Sequence, residues 1–288
     1  MSRLNIDTCS LLVEVSTSVW TARKLDKSVT SEVNSNKRAT KDAARVNKNL
    51  LAGRSELENI TKHVTAFRTY LYNNTLPWSD SGLRLLPTSK FMEFSSAADT
   101  AREEFATLVE DFIDIYPSLI TAQAMSLGDM FNAREYPDAN DIVRRFDFRI
   151  NYFPVPSSGD FRIDVGNELQ QELEEKLARL TEDRVNNAID SYKAKFREHL
   201  ERMVDRLQVD VIKGEAVART FHDTLLNGAL ELCQLGREFN FTGDVGLATA
   251  CDTLEKALVG VTTKDLRKDI PTRLEVQAQV KNLLTIFN

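Results

Sequence analysis

Strict alternation of apolar and polar positions predicts strands in three parts of the chain. It runs through residues 11–24, and again through 146–152 and 161–165, which a VPSSGD turn separates. A two-residue period is typical of half-buried strands, so these segments predict one N-terminal strand and one hairpin with an apolar face. A short strand is predicted at 83–86, after a turn rich in Asn, Pro and Gly. Four such strands can form a small antiparallel sheet if something packs on their apolar face.

Helices are predicted between these strands. An alanine-rich stretch at 38–52 is bounded by Gly53, a residue suited to the left-handed position after a helix. The next helix opens with Ser55 and Glu58 in the spacing of a capping box. Its apolar positions recur every three or four residues and so predict one buried stripe, formed by Leu57, Ile60, Val64, Phe67 and Leu71.

The most regular apolar spacing in the chain follows. It alternates intervals of three and four through Phe91, Phe94, Ala98, Ala101, Phe105, Leu108, Phe112 and Ile115. Such a row is expected where antiparallel helices pair. Pro117 predicts the end of this helix, because proline lacks the backbone N–H that a helix interior needs. A shorter helix is predicted at 118–132, and a last helical turn at 138–145.

A long helix is predicted from Glu168 to Leu207, with apolar residues mostly four apart. At 1.5 Å per residue it would measure roughly 60 Å, so it either projects or pairs with the helix at 90–116 as an antiparallel stalk. Three further helices are predicted at 215–238, 244–258 and 271–287, and Pro271 suits the first turn of the last one.

These elements predict an α+β, mainly α fold with long antiparallel helices, a small antiparallel sheet and a C-terminal helical bundle. No flexible linker or internal repeat is evident, so residues 1–288 are expected to form a single structural unit. Within it, residues 1–165 would mix helices with the sheet, and 166–288 would hold the long helix and the C-terminal helices.

Composition narrows the class of protein. The chain has 288 residues, of which 42% are hydrophobic and 28% charged, as in folded globular proteins. Its three cysteines are widely spaced, so disulfides are not expected, and two of them lie in apolar helical patterns that predict buried thiols. No signal peptide or membrane span is apparent in the sequence. A cytoplasmic protein without membrane partners is therefore expected.

The net charge of −6 is distributed unevenly. Residues 1–70 contain 12 Lys/Arg and 7 Asp/Glu, a net charge of +5, which leaves −11 for residues 71–288. A basic segment on an acidic chain can bind an anionic partner, or it can dock on the acidic face of another subunit.

No catalytic, cofactor or metal site is predicted. The phosphate-binding patterns GxxxxGK[ST] and GxGxxG are absent, and no histidine has a second His or Cys three or four residues away. A cysteine paired with a distant histidine, or metal-binding carboxylates at Asp129, Asp160 and Asp164, are the alternatives. Turn or surface roles account better for these aspartates. An enzyme whose site is assembled from distant residues remains a third hypothesis beside the two binding functions considered below.

The basic segment carries the principal candidate site. A tryptophan beside clustered cations can stack on a base while the cations neutralise phosphates. The alternative is that the tryptophan packs under the sheet and the cations form a solvated surface. The candidate nucleic-acid-binding residues are Trp20, Arg23, Lys24, Lys27, Lys37, Arg38 and Lys41, with Arg45 and Lys48 nearby.

The regular row of the helix at 91–115 is the second candidate surface, this time for protein partners. A homo-oligomer or coiled coil formed through this row is expected. The candidate interface residues are Phe91, Phe94, Phe105, Leu108 and Phe112.

Several short strings together resemble an uncharacterised family of bacteriophage and bacterial proteins. They are VWTARK at 19–24, LPW at 76–78 followed by LLP at 85–87, YP at 136–137 and GDFR at 159–162. Members of that family are often encoded beside a MoxR-type AAA+ ATPase and a von Willebrand A-domain protein. The resemblance implies a phage setting, with the host cytoplasm as location, and an ATPase partner, but it supplies no site residues.

The helical row and the missing catalytic motifs predict a non-enzymatic interaction, assembly or adaptor protein that self-associates or serves a partner. The resemblance implies that it is a bacteriophage protein and that this partner is a MoxR-type AAA+ ATPase. The alternative is a DNA- or RNA-binding protein of phage replication or recombination that uses the basic N-terminal quarter.

Overall fold

The structure is a computed structural model that describes residues 6–156, 167–212, 215–240 and 243–287. Its helices are α1 (Ile6–Cys9), α2 (Lys27–Asn36), α3 (Glu56–Asn74), α4 (Phe91–Leu127), α5 (Ala139–Val143), α6 (Asn167–Arg206), α7 (Thr224–Glu238), α8 (Val245–Leu258), α9 (Thr263–Lys268) and α10 (Ile270–Phe287). Its strands are β1 (Ser10–Ser18), β2 (Arg23–Leu25), β3 (Asn47–Asn49), β4 (Leu76–Pro77), β5 (Arg84–Pro87), β6 (Asp147–Pro154), β7 (Val209–Ile212) and β8 (Glu215–Ala218). The predicted α+β, mainly α class is confirmed.

The strands form one four-stranded sheet and two small pairs. The order in the larger sheet is β4-β5-β1-β6, and β5 is antiparallel to both β4 and β1. The predicted strands at 11–24, 83–86 and 146–152 correspond to β1, β5 and β6. The predicted partner at 161–165 lies outside the described residues, and β4 was predicted as a turn. The smaller pairs are β2 with β3 and β7 with β8.

The chain divides into two compact units built from interleaved segments. Unit 1 contains Met1–Glu14, Tyr70–Phe94 and Asn151–Asn288, and unit 2 contains Val15–Thr69 and Ser95–Ile150. The predicted division between residues 165 and 166 falls outside the described residues, so it stays a prediction.

The core of unit 1 is helical. The second half of α6 packs against α7 and α10, and α8 packs against both of these helices. This arrangement is the predicted C-terminal bundle. The long helix is confirmed at 40 residues, and within unit 1 it packs against α7, α10 and β4. The buried residues of α6 include Val185, Ala188, Tyr192, Phe196, Leu200 and Met203.

The core of unit 2 is aromatic. Phe148 of β6 packs against Phe67 of α3 and Phe105 of α4, with ring centroids 5.2 and 5.3 Å apart. Phe112 lies 5.8 Å from Phe146 in an edge-on arrangement. The predicted stripe of α3 is buried at Ile60, Val64 and Phe67 in this unit and at Leu71, which belongs to unit 1, whereas Leu57 is half-buried.

The helix predicted at 38–52 is wrong. The helix lies earlier, at Lys27–Asn36, where Asp26 caps its first turn by accepting hydrogen bonds from two backbone amides. The alanine-rich residues form turns instead, because the buried amide of Asn34 donates to the carbonyls of Lys41 and Ala44. Side chains that bond backbone groups in this way compete with helix formation. Arg38, in a left-handed conformation with φ 51°, also lies outside helical geometry.

The predicted end of a helix at Pro117 is also wrong, since α4 continues to Leu127. Buried side chains lie on both sides of the proline: Tyr116 just before it, and Leu119 and Gln123 after it. The Gln123 amide donates to the carbonyl of Ala52 at 3.0 Å, which fixes the second half of the helix. Packing therefore outweighs the single backbone hydrogen bond that Pro117 removes. The separate helix predicted at 118–132 does not exist.

The C-terminal predictions hold except at two points, because helix α9 was not predicted and the first of these helices begins later than expected. Helices α8 and α10 match the predicted 244–258 and 271–287, and α5 matches the turn at 138–145. The helix predicted at 215–238 begins only at Thr224, because Val209–Ile212 and Glu215–Ala218 pair as β7 and β8. Arg219 bridges Asp205 and Asp210 at 2.6 and 2.9 Å across this hairpin. Among the described residues, no helix combines the length and apolar character needed to cross a bilayer.

Candidate nucleic-acid interface

The basic residues between positions 20 and 49 belong to one small substructure of unit 2. Strand β2 pairs with β3, so that Lys24 lies opposite Lys48. The amide of Leu50 donates to the carbonyl of Ala22, and the amide of Asp26 to that of Val46. These bonds close the chain around α2. We call residues 20–49 the basic lobe.

Polar hydrogen bonds give the basic lobe its shape, since α2 buries only Asn34. The Asn34 amide holds the turn after α2, and the Thr30 hydroxyl accepts from the amide of Val46 at 3.0 Å. Asp26 caps α2. The hydrogen bond from the backbone amide of Val29 lowers the pKa of the Asp26 carboxyl below its usual range, and the nearby charge of Lys48 lowers it further. A segment with few apolar residues is thus ordered by side chain to backbone bonds.

The cations of the basic lobe point into solvent. The lobe has eight Lys/Arg and three Asp/Glu, a net charge of +5. Seven of the eight cations are exposed: Arg23, Lys24, Lys27, Lys37, Arg38, Lys41 and Arg45. Among the described residues, none of these seven forms an ion pair within 4.0 Å. Their charge is therefore uncompensated by neighbouring carboxylates and free to meet an anion.

Lys48 is the exception, because it is buried and fully partnered. Its ammonium lies 2.6 Å from Glu135 and 3.5 Å from Asp26, and it donates to the carbonyl of Met130 at 2.7 Å. Burial by itself lowers the pKa of Lys48, but the hydrogen bond and charge of Glu135, with Asp26, outweigh it, and the pKa lies above its ordinary value. Lys48 therefore anchors the basic lobe to residues 130–135.

Trp20 lies in the core of unit 2 and not on the surface of the basic lobe. Its side chain is only 6% exposed, and its ring packs 5.8 Å from Tyr116 and 6.4 Å from Phe112. Both partners belong to α4. Trp20 is the sole aromatic residue in the sequence of the basic lobe, so this lobe offers no exposed ring on which a base could stack.

A cleft of about 510 Å³ opens beside Lys48. Its lining combines the exposed cations Lys24 and Lys27 with Asp129, Asn132 and the ion pair of Lys48 with Glu135. Histidine and cysteine are absent from the described part of its lining, which forms a surface of mixed charge. The cations at its rim continue the exposed surface of the basic lobe.

The predicted protein-interface residues lie mostly inside the chain. In unit 1, Phe91 contacts Tyr152 and Phe94 stacks on Tyr70. In unit 2, Phe105 and Phe112 belong to the aromatic core described above, while Leu108 is half-buried. The buried row of α4 follows Val109 and Tyr116 in place of Leu108 and Ile115, and Ile115 is 38% exposed. An interface through this row stays a prediction.

Other polar side chains have structural surroundings. His199 is buried and its Nε2 donates to the carbonyl of Leu225 at 2.8 Å, and burial lowers its pKa. It lines a cleft of about 390 Å³ together with Arg202, Arg206 and His222. Cys233 and Cys251 are buried free thiols, as predicted, and Cys9 is exposed. Of the residues that the structure describes, no three His, Cys, Asp or Glu form a group that could hold a metal ion.

Sequence reasoning left one surface without named residues. The first half of α6 carries four leucines at positions 169, 173, 177 and 180, none of which is buried. The spacing was visible in the sequence, which left open whether the long helix projects or pairs with the helix at 90–116, because no sequence signal shows where along a 40-residue helix the packing stops.

The chain matches no known protein-family model, and it has no significant match among curated proteins or solved structures.

Proposed function

We propose that the chain is a non-enzymatic nucleic-acid-binding protein that holds the phosphate backbone with its basic lobe. The observation that supports this most directly is the set of seven exposed lysines and arginines without carboxylate partners on one folded segment. Cations that neutralise phosphates release condensed counterions, and this release supplies most of the free energy of sequence-independent binding.

The lobe favours duplex over single-stranded nucleic acid. Binding of single strands without sequence preference relies on exposed aromatic rings, and Trp20 is buried. A duplex offers one phosphate charge per about 1.7 Å of its axis, which suits a surface of cations alone. We therefore expect contacts to phosphates, without discrimination between bases.

The test measures binding of the full chain to a fluorescent duplex of 20 base pairs and to the matching single strand across a salt series. The variant Lys37→Gln/Arg38→Gln/Lys41→Gln removes three exposed charges. Three lost phosphate contacts should weaken duplex binding by at least tenfold near 0.1 M salt and flatten the log–log salt slope by up to about 3.

A matched control removes three exposed lysines from unit 1, in Lys256→Gln/Lys268→Gln/Lys281→Gln. It changes the net charge equally and should leave the affinity within about twofold. Equal losses for the two triple variants, or no salt-dependent binding by the unaltered chain, would contradict the proposal. Circular dichroism of each variant confirms that the helices are retained.

The second candidate is the assembly or adaptor role beside a MoxR-type AAA+ ATPase that the family resemblance implies. The observation that favours it is the row of unburied leucines on the first half of α6, since uncovered apolar rows on helices are common binding surfaces. Capture of a purified MoxR-type AAA+ ATPase by the full chain, with and without ATP, tests this role. Absence of capture in both states would count against an ATPase partner.

A further inference from the structure

The two halves of α6 differ in how they are covered. From Val185 onward, buried side chains recur every three or four residues as α6 packs against α7 and α10. Between residues 169 and 184, no described side chain is buried. At 1.5 Å per residue this uncovered part is roughly 24 Å long.

The uncovered half nevertheless keeps an apolar row. Leu169, Leu173, Leu177 and Leu180 follow at intervals of four, four and three and so lie on one face. Leu169 and Leu180 are 48% and 46% exposed, and the two central leucines are half-buried. Helices of this length gain most of their stability by packing an apolar face, so a leucine row that is exposed at both ends and only half-buried at its centre is a surface that a partner would stabilise.

Charge along the same segment selects the partner. Residues 169–175 contain three glutamates and no cation, a net charge of −3, whereas residues 176–184 have three cations and two acids, a net charge of +1. A second copy in antiparallel orientation places the acidic half of one helix beside the basic half of the other. A parallel copy would place the two acidic halves side by side.

We propose that the first half of α6 pairs with the same segment of a second copy in antiparallel orientation, centred near Glu175. This names the partner for the assembly role and rests on that role. In a twofold arrangement, Leu173 of each copy faces Leu177 of the other. Lys176, now 2.6 Å from Glu172 of its own helix, then also lies within about 3 Å, along the helix axis, of the second copy's Glu172.

The ion pairs within α6 support this geometry. Lys176 pairs with Glu172 and Arg179 with Glu175, each at an interval of four. Both ion pairs run along the surface of α6, and their charged groups do not cover the leucine row. The row is thus flanked by charges that can set the orientation of a partner, as at the edges of coiled-coil interfaces.

The mass in solution is the first test. Sedimentation of the full chain over a range of micromolar concentrations should show a shift from 32.6 kDa toward twice that mass. Leu173→Gln/Leu177→Gln keeps good helix formers but removes the central leucines, and it should raise the dissociation constant at least tenfold. Ala178→Gln/Glu182→Gln, on the opposite face, is the control and should leave it unchanged.

Charge reversal tests the pairing itself. Glu172→Lys and Lys176→Glu should each weaken the dimer, and the double reversal should restore it, because the swap preserves opposite charges within and between copies. A dimer that none of these changes affects would place the interface elsewhere.

Spin labels decide the orientation. One label is placed per chain, at Gln171→Cys or at Glu182→Cys, in a Cys9→Ser background. In the antiparallel pair, the labels of the two copies are separated along the helix axis by about 12 Å for position 171 and about 21 Å for position 182. In a parallel pair both offsets are zero. A strictly monomeric chain, or zero offsets, would overturn the self-association. Neither outcome removes the adaptor role, which capture of the ATPase tests separately.

Discussion

The ammonium of Lys48 lies 2.6 Å from the carboxylate of Glu135, with side chains that are 5% and 17% exposed. This pair joins strand β3 to the turn at 133–135, and Asp26 completes it at 3.5 Å. Asp26 also caps α2, so a single buried cation connects three parts of unit 2. The orientation of the basic lobe depends on this contact, although Lys48 itself is not exposed to a ligand.

Replacement of this cation should destabilise the protein. Lys48→Met leaves two poorly solvated carboxylates without a counterion, and removing one partner of a buried pair costs about 3 kcal/mol. Urea denaturation at pH 7 would measure the loss. Lys27→Met, at an exposed position of α2, is the control and should change the free energy of unfolding by less than about 0.5 kcal/mol.

The double variant Lys48→Met/Glu135→Met should recover part of that loss, because it removes the orphaned charge with its partner. Equal free energies of unfolding for Lys48→Met and the unaltered protein would show that the pair does not hold the lobe.

The basic lobe also shows how far sequence reasoning reaches. The exposed cations could be predicted from the charge of residues 1–70 alone. The helix that lies among them in the sequence could not, because α2 buries only Asn34 and therefore lacks an apolar period. Its position depends on the cap at Asp26 and on the bonds that Asn34 makes seven and ten residues away.

The sequence located the long apolar rows of α4 and α6, but it did not identify the elements that cover them. The row of α4 is buried as expected at Phe94, Phe105 and Phe112. Its covering residues come from α3 and β6 of the same chain, whereas periodicity cannot distinguish such partners from a second subunit. In α6 the apolar spacing of three or four residues also runs through Leu169–Leu180, although the buried residues of this helix begin only at Val185.

Gly236 of α7 faces Tyr192 of α6 so closely that no side chain fits between them. A Cβ at this position would lie 2.1 Å from the Tyr192 hydroxyl oxygen. That hydroxyl donates to the carbonyl of Leu232 at 2.8 Å and is buried, so it cannot move at little cost. Gly236→Ala should therefore lower the free energy of unfolding by about 2 kcal/mol, even though alanine favours helices.

Thermal and urea denaturation would measure this loss, with the exposed Asn227→Ala in the same helix as control. Tyr192→Phe removes the oxygen that lies nearest to the added methyl group. If the clash is the cause, the double variant should lose less than the sum of the two single variants. Simple additivity would assign the effect of Gly236→Ala to something else.

Arg273 of α10 is 1% exposed, and its guanidinium forms hydrogen bonds to backbone carbonyl oxygens. Its guanidinium donates to the carbonyls of Arg206, Leu207, Gln208, Arg219 and Leu266. Three of these lie at the C-terminal end of α6, where backbone carbonyls have no partners within the helix and the helix dipole favours a cation.

Arg273→Lys should destabilise unit 1 by about 3 kcal/mol or more, because an ammonium cannot reach five carbonyls that a planar guanidinium reaches. Arg267→Lys is the matched control in α9, since Arg267 is exposed and bonds to the carbonyl of Phe221 and to Asp223. The control should lose less than about 1 kcal/mol. Equal losses in urea denaturation would mean that the buried carbonyl network is not what holds α10 against α6.

Burial lowers the pKa of His199 below its ordinary value of 6.5. The unfolded chain therefore binds a proton at this residue at a pH where the native protein does not. Stability rises with pH wherever the unfolded state holds more protons. The contribution of His199 should accordingly be complete above about pH 6.5 and decline as the pH falls from there toward the native pKa.

His199→Gln keeps a donor for the carbonyl of Leu225 and removes the titration. The difference in free energy of unfolding between the two proteins, measured from pH 5 to 8, should change only in the acidic part of this range. A constant difference would show that His199 has the same pKa in both states.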